Sequence, residues 1–158
     1  MSTQTDLPAG EAVILMTRVF DAPRDLVWEA TTDPKHVKQW WGGAGARNPV
    51  CEMDVRPGGA WHHVLVFADG TEITMDFVFV EVEKPKRLVW QDRDHGTRKE
   101  GWPTARFTVT LEEEGGKTRW RMMARFDTAA GRDAVVANGF TKPIVASNER
   151  LAEYLTTM

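Results

Sequence analysis

Apolar and polar residues alternate along most of the chain after residue 48. Segment 118–126 alternates most clearly, because Arg119, Arg121 and Arg125 share one side while apolar residues and Thr118 fill the other. Successive side chains of a strand point to opposite faces of a sheet. A face that carries three arginines is exposed to water, so the pattern predicts an antiparallel sheet with one buried face.

The same alternation predicts six or seven strands, which are separated by turn and loop sequences. The strands are expected at residues 11–20, 51–56, 61–67, 71–83, 87–91, 105–113 and 118–126. Pro57-Gly58-Gly59 and Ala68-Asp69-Gly70 are typical of tight turns. The mixed-charge residues 92–103 are expected to form a loop at the rim of the sheet.

Two short helices are predicted between the first and second strands. Pro23 suits the first position of one helix, and Asp33 followed by Pro34 is a capping sequence for the other, which ends near Trp41. The glycine-rich residues 42–46 that follow predict a mobile loop.

The carboxyl end is predicted to be helical as well. A helix at 128–138 should stop at Gly139, and a longer one should run to Leu155, with Pro143 tolerated only in its first turn. Residues 1–10 lack a pattern and are expected to form a flexible tail before a single domain at 11–158.

Composition excludes several classes of protein. A net charge of −3 and a pI near 5.8 argue against a nucleic-acid binder. Apolar runs are too short for membrane insertion. A single cysteine, Cys51, cannot form an internal disulfide and is expected to be a small buried residue, which favours a reduced, cytoplasmic protein.

Seven tryptophans among 158 residues are the strongest indication of function. Strand parity places large aromatic residues on the concave side of the sheet, where they either fill the core or line a cavity facing the long helix. We expect the cavity to bind a small apolar or aromatic molecule that His63 or Ser147 orients. The predicted ligand-binding residues are Trp41, Trp61, His63, Phe77, Phe79, Trp90, Phe107, Trp120, Met122, Phe140, Ile144, Ser147 and Leu151.

Catalytic and cofactor motifs are not recognisable in the sequence. The loop 42–47 lacks the Lys-Ser/Thr of a phosphate loop and follows a helix instead of preceding one. His62 and His63 are adjacent on a strand and point to opposite faces, so no metal or cofactor is predicted. An enzyme would have to use His63, with Glu81 or Asp76 as a helper, and this stays an alternative to simple binding.

Several ordered motifs resemble the bacterial branch of the heat-shock-protein-90 ATPase activator-like family, in the START-like SRPBCC superfamily. The resemblance covers about residues 12–155. It rests on residues 17–28, Thr32-Asp33-Pro34, Trp40-Trp41-Gly42, Met53-Asp54-Val55-Arg56-Pro57-Gly58-Gly59, Glu81-Val82, 85–89 and 150–155.

This resemblance implies an α+β helix-grip fold, in which a curved antiparallel sheet surrounds a long carboxyl-terminal helix. Superfamily members mostly hold an apolar ligand such as a lipid between sheet and helix, whereas some are cyclases or hydrolases and some bind proteins. Family members usually carry Gly-Trp where this chain has Pro143-Ile144, and many have a small residue near Phe77. Both differences change the wall of the expected cavity, so the identity of the ligand cannot be transferred from family members to this chain.

The family name also implies a chaperone partner and a role in the stress response. Eukaryotic activators of the family stimulate the chaperone ATPase with an additional amino-terminal domain, and only residues 1–10 precede the first predicted strand here. We therefore expect no appreciable stimulation. A homodimer or a transient contact through the rim stays open.

Overall fold

The computed structural model describes residues 2–93 and 104–158. These residues form eight strands and four helices. The strands are β1 (Gln4–Asp6), β2 (Val13–Phe20), β3 (Arg47–Met53), β4 (Ala60–Val66), β5 (Glu72–Glu83), β6 (Arg87–Asp92), β7 (Arg106–Glu114) and β8 (Lys117–Arg125). The helices are α1 (Arg24–Thr32), α2 (Pro34–Trp40), α3 (Ala129–Ala137) and α4 (Thr141–Leu155). Residues 94–103 of the predicted charged loop lie outside the described residues.

All eight strands join one antiparallel sheet in the order β1-β2-β8-β7-β6-β5-β4-β3. The predicted helix-grip fold is confirmed, with two short helices after the first long strand and a long helix at the carboxyl end. The sheet has one strand more than predicted, because residues 4–6 of the expected tail pair with residues 15–17 of β2. Its three side chains are exposed, so β1 is held by backbone pairing and has no apolar pattern that could reveal it.

Strand β8 buries the face that its alternation predicted. Thr118, Trp120 and Met122 are buried, whereas Arg121 and Arg125 are exposed. The outer face carries cross-strand ion pairs, such as the 2.7 Å contact between Arg119 Nε and Glu114 Oε1. Burial of one face only is what an antiparallel sheet with solvent on its other side requires.

Strand β3 lies earlier in the chain than predicted. It ends at Met53, because residues 54–59 turn back on themselves: the Arg56 N–H donates to the Asp54 carbonyl, and the Gly59 N–H donates to the Arg56 carbonyl. The Asp54 carboxylate also accepts from Arg56 Nε at 2.7 Å. The alternation of charged residues at 52–56 therefore continues from a strand into a turn.

The helix boundaries follow the predicted signals. Asp33 caps α2, with Oδ1 accepting from the Lys35 N–H at 2.9 Å, and Pro34 occupies the first turn. Gly139 separates α3 from α4 with a φ of +84°, a left-handed conformation that favours glycine. Arg18 on β2 then contacts Glu149 of α4 at 2.6 Å and ties the long helix to the sheet.

The glycine-rich loop 42–46 is fastened to α4, which differs from the mobile loop that composition predicted. Arg150 Nη1 donates to the carbonyl oxygens of Gly43 and Ala46 at 2.7 and 3.1 Å. The glycines serve close approach, since a Cβ on Gly43 would lie 2.6 Å from the Ala146 Cβ. Among the described residues, no helix combines the length and apolar character needed to cross a bilayer.

Candidate functional site

A cavity of about 850 Å³ lies between the curved sheet and helix α4. Strands β4–β8 form one wall, α1 and α2 contribute to one end, and α4 with the α3–α4 turn lies opposite the sheet. The predicted residues that line it are Trp41, Trp61, Phe77, Trp90, Phe107, Trp120, Met122, Phe140, Ile144, Ser147 and Leu151.

Strand register brings the aromatic residues of the wall together. Trp61 pairs with Phe77 across β4 and β5, and Trp90 pairs with Phe107 across β6 and β7. Directly paired residues point to the same face of a sheet and lie about 5 Å apart. The aromatic residues that alternation predicted to point inward therefore form a continuous surface once the strands are in register.

The aromatic surface continues from the sheet to the turn before α4. The Trp90 and Phe107 rings stack 5.3 Å apart at 15°, and the Phe107 and Phe140 rings stack 6.2 Å apart at 16°. Trp61 meets Trp90 at 5.4 Å. Offset stacked and tilted rings of this kind present both π faces and apolar edges to a neighbouring molecule.

His63 is not among the residues that line the cavity. It is fully buried, accepts a hydrogen bond from Trp61 Nε1 at Nδ1 (3.2 Å), and has Nε2 2.7 Å from Asn48 Oδ1. Since Asn48 offers an oxygen, Nε2 carries the proton. Burial and, second, the charge of His62 lower the His63 pKa to about 4, so the ring is neutral at pH 7.

Phe79 is also outside the lining, because it packs behind Trp61. The two rings are nearly parallel and 5.6 Å apart, and Phe79 is 1% exposed. Its inward parity is as predicted, but a bulkier neighbour covers it. Phe79 therefore supports the Trp61 ring instead of facing the cavity.

Ser147 faces the cavity and uses its hydroxyl within the protein. The hydroxyl donates to the Pro143 carbonyl at 2.7 Å and accepts from the Gly42 N–H at 2.8 Å. Its bond to Gly42 joins α4 to the glycine-rich loop. The orienting role predicted for Ser147 thus competes with a structural role that the hydroxyl already fills.

The remaining cavity wall includes residues that sequence reasoning missed. Trp28 and Thr31 lie three residues apart on α1, and Asn148 follows Ser147 on α4. The i, i+3 spacing of Trp28 and Thr31 was a usable signal, because such residues share a helix face. Asn148 gave no signal: it is 3% exposed and donates to Thr3 Oγ1 at 3.2 Å.

Trp90 provides an unused donor beside this surface. Its indole nitrogen is buried and has no hydrogen-bond partner among the described residues. The Trp40 indole, by contrast, donates to the Ala30 carbonyl at 2.9 Å. A buried donor without an acceptor costs about 1–3 kcal/mol, so Trp90 is a site where an added acceptor would be stabilising.

The predicted catalytic helpers do not reach His63. Asp76 Oδ1 lies 2.6 Å from His62 Nδ1, on the opposite face from His63, and Glu81 pairs with Arg87 at 2.7 Å. Cys51 is half-buried, and burial raises its thiol pKa to about 11, with Lys38 opposing the shift. The thiol is therefore protonated at neutral pH and is a poor nucleophile.

Solved structures with this architecture are numerous, and they share the fold at low sequence identity. Protein Ms6760 from Mycobacterium smegmatis matches with a TM-score of 0.89 and 20% identity, over 100% of this chain and 99% of that chain. A Rhodobacter sphaeroides protein matches with a TM-score of 0.86 and 22% identity over the full length of both chains. Protein NE0264 from Nitrosomonas europaea matches with a TM-score of 0.81 and 24% identity, over 92% of this chain and 95% of that chain. No curated protein matches significantly.

The solved structures show only a shared fold, whereas a family model shows which family the chain belongs to. The model described as "Activator of Hsp90 ATPase homolog 1-like protein" matches residues 21–156. The match spans both short helices, strands β3–β8 and both carboxyl-terminal helices. The chain therefore belongs to the family of activator of Hsp90 ATPase homologue 1-like proteins.

Proposed function

We propose that this protein binds a small apolar or aromatic molecule in the cavity between the sheet and α4. The observation that supports the proposal most is the aromatic lining around a space of about 850 Å³. Sites for small organic ligands are commonly about 300–1,000 Å³ and are mainly apolar, with few polar groups. The cavity is of that size, and its polar residues are a minority.

Apolar burial supplies the affinity in this proposal. A ligand that buries about 300 Å² of apolar surface gains roughly 7.5 kcal/mol at about 25 cal/mol per Å², before the costs of association. The Trp90–Phe107–Phe140 stack favours flat rings, because rings can extend an offset stack at 5–6 Å. Planar aromatic molecules should therefore bind more tightly than saturated chains of equal area.

A ligand screen tests the proposal directly. Thermal unfolding and tryptophan fluorescence are measured against fatty acids and against polyphenols of similar size. A ligand at about 100 times its dissociation constant should raise the free energy of unfolding by roughly 2.7 kcal/mol. A broad library with no hit would contradict the proposal.

Matched substitutions on α4 locate the bound molecule. Ile144→Glu places a carboxylate in the apolar wall of the cavity, where its desolvation opposes an apolar ligand. Lys142→Glu adds the same side chain at an exposed position of α4 outside the lining. We expect Ile144→Glu to weaken binding at least tenfold and Lys142→Glu to leave it unchanged. Equal effects would place the ligand elsewhere.

The description of the family supplies a second candidate, a contact with a chaperone of the heat-shock-protein-90 type. A coupled ATPase assay separates it from ligand binding. We do not extend the proposal to catalysis, since His63 is directed to Trp61 and Asn48. A cytoplasmic location, inferred from the single cysteine, is part of the proposal.

A further inference from the structure

Three side chains with metal-ligand chemistry converge where helices α1 and α2 meet. Glu29 lies in the last turns of α1, Asp33 caps α2, and His36 lies in the first turn of α2. A carboxylate oxygen from each acid and a ring nitrogen of His36 lie within 4.8 Å of one another. Within that group, Glu29 Oε1 is 3.5 Å from His36 Nε2. Ligand atoms around a tetrahedral or octahedral ion with bonds near 2.1 Å are about 3–3.5 Å apart, so small side-chain movements would close the group on an ion.

Tyr154 orients the imidazole from a third helix. Its phenol oxygen is 2.6 Å from His36 Nδ1, which leaves Nε2 directed to the Glu29 side of the ring. Metal-binding histidines almost always have their second nitrogen held by an oxygen in this way, because the contact fixes the tautomer and the ring direction. Asp33 is held as well, since its Oδ1 accepts from the Lys35 N–H. Two of the three ligands are therefore positioned by contacts outside the group.

We propose that Glu29, Asp33 and His36 bind one zinc ion. One imidazole and two carboxylates suit a borderline divalent ion, whereas calcium takes six to eight oxygen ligands. The Glu29 side chain is 58% exposed and that of His36 13%, so water has access to the remaining coordination position. The ion would join α1 to α2 directly and to α4 through Tyr154. This site is distinct from the ligand cavity and does not depend on the proposed function.

Sequence spacing gave no sign of this group. The residues follow the pattern Glu-x₃-Asp-x₂-His, and the chain passes from one helix into the next between the first and last of them. Recognised zinc motifs such as H-E-x-x-H use similar intervals, but their ligands are histidines on a single helix. The angle between α1 and α2 decides whether the three side chains meet.

Titration of the untagged, chelator-treated protein with zinc chloride tests the site. Calorimetry should show one ion per chain and the melting temperature should rise, whereas calcium chloride should produce neither effect. Tyr154→Phe removes the orienting hydroxyl and should weaken zinc binding about 10–100-fold at unchanged stoichiometry. Absence of saturable binding to the wild-type protein would overturn the proposal.

Substitution of the ligands assigns the ion to its place. His36→Gln should abolish the one-ion binding, and Glu29→Gln, at an exposed position, should do so without affecting folding, which circular dichroism checks. His62→Gln is the matched control, because His62 also contacts a carboxylate, that of Asp76 at 2.6 Å, outside this group. Zinc binding that survives both ligand substitutions, or that His62→Gln removes, would refute the assignment.

Discussion

The glycine-rich loop offers a sharp test of how closely this fold is packed. Gly43 has a φ of +86°, and a Cβ at that position would lie 2.6 Å from the Ala146 Cβ and 3.2 Å from the Ala146 carbonyl carbon. Gly43→Ala therefore combines an unfavourable backbone conformation with a collision against α4. Because the obstacle is a helix and its short side chain, the loop has to move away.

Two contributions determine the size of the effect. A non-glycine residue in the left-handed region costs about 1–2 kcal/mol. Displacement of the loop also breaks the bonds from Gly42 to Ser147 and from Arg150 to Gly43, at 2.8 and 2.7 Å, each worth about 1 kcal/mol. We expect Gly43→Ala to lower the free energy of unfolding by about 3–4 kcal/mol.

Gly70→Ala is the matched control. Gly70 has a φ of +90°, and a Cβ there would meet nothing within 4 Å, so only the backbone cost of about 1–2 kcal/mol applies. The entropy that alanine removes from the unfolded chain is the same for both variants and cancels in their difference. Urea unfolding followed by circular dichroism measures both. Equal destabilisation of the two variants would refute the packing argument.

Three further predictions concern titration, thiol reactivity and the chaperone. The His63 pKa is about 4 in the folded chain against an ordinary 6.5, so the unfolded state binds the extra proton between these values. The free energy of unfolding should fall by about 3 kcal/mol as pH drops from 6.5 to 4. His63→Gln should lose this part of the pH dependence. Plots of unfolding free energy against pH that are parallel for the wild type and the variant would contradict a buried neutral ring. Cys51, whose pKa is raised to about 11, should react with a disulfide reagent at pH 8 about 100-fold more slowly than an unperturbed thiol; reaction at the rate of a free thiol would show that it is exposed. A chaperone of the heat-shock-protein-90 type should hydrolyse ATP at the same rate with and without this protein, and several-fold acceleration at micromolar concentration would favour the partner-binding alternative.

Local patterns in the sequence are sufficient to predict the sheet, the helix ends and the inward aromatic residues. These features depend on short-range rules: alternation decides which face of β8 is buried, and Asp33 with Pro34 begins α2 wherever the helix lies. Strand β1 was not predicted, because residues 4–6 are exposed and pair only through the backbone. No hydrophobic period marks such a strand.

Which of the inward residues face the cavity depends on how the strands and helices pack together. Phe77 and Phe79 have the same parity, yet Phe79 lies behind Trp61 while Phe77 lines the cavity. His63 likewise points inward, where Trp61 and Asn48 occupy both of its nitrogens. These outcomes depend on strand register, on the size of neighbouring side chains and on the packing of α4 against loop 42–46. Contacts between residues far apart in the sequence determine all three. The approach of Glu29, Asp33 and His36 has the same origin, since the angle between two helices is a property of their packing and not of either segment alone.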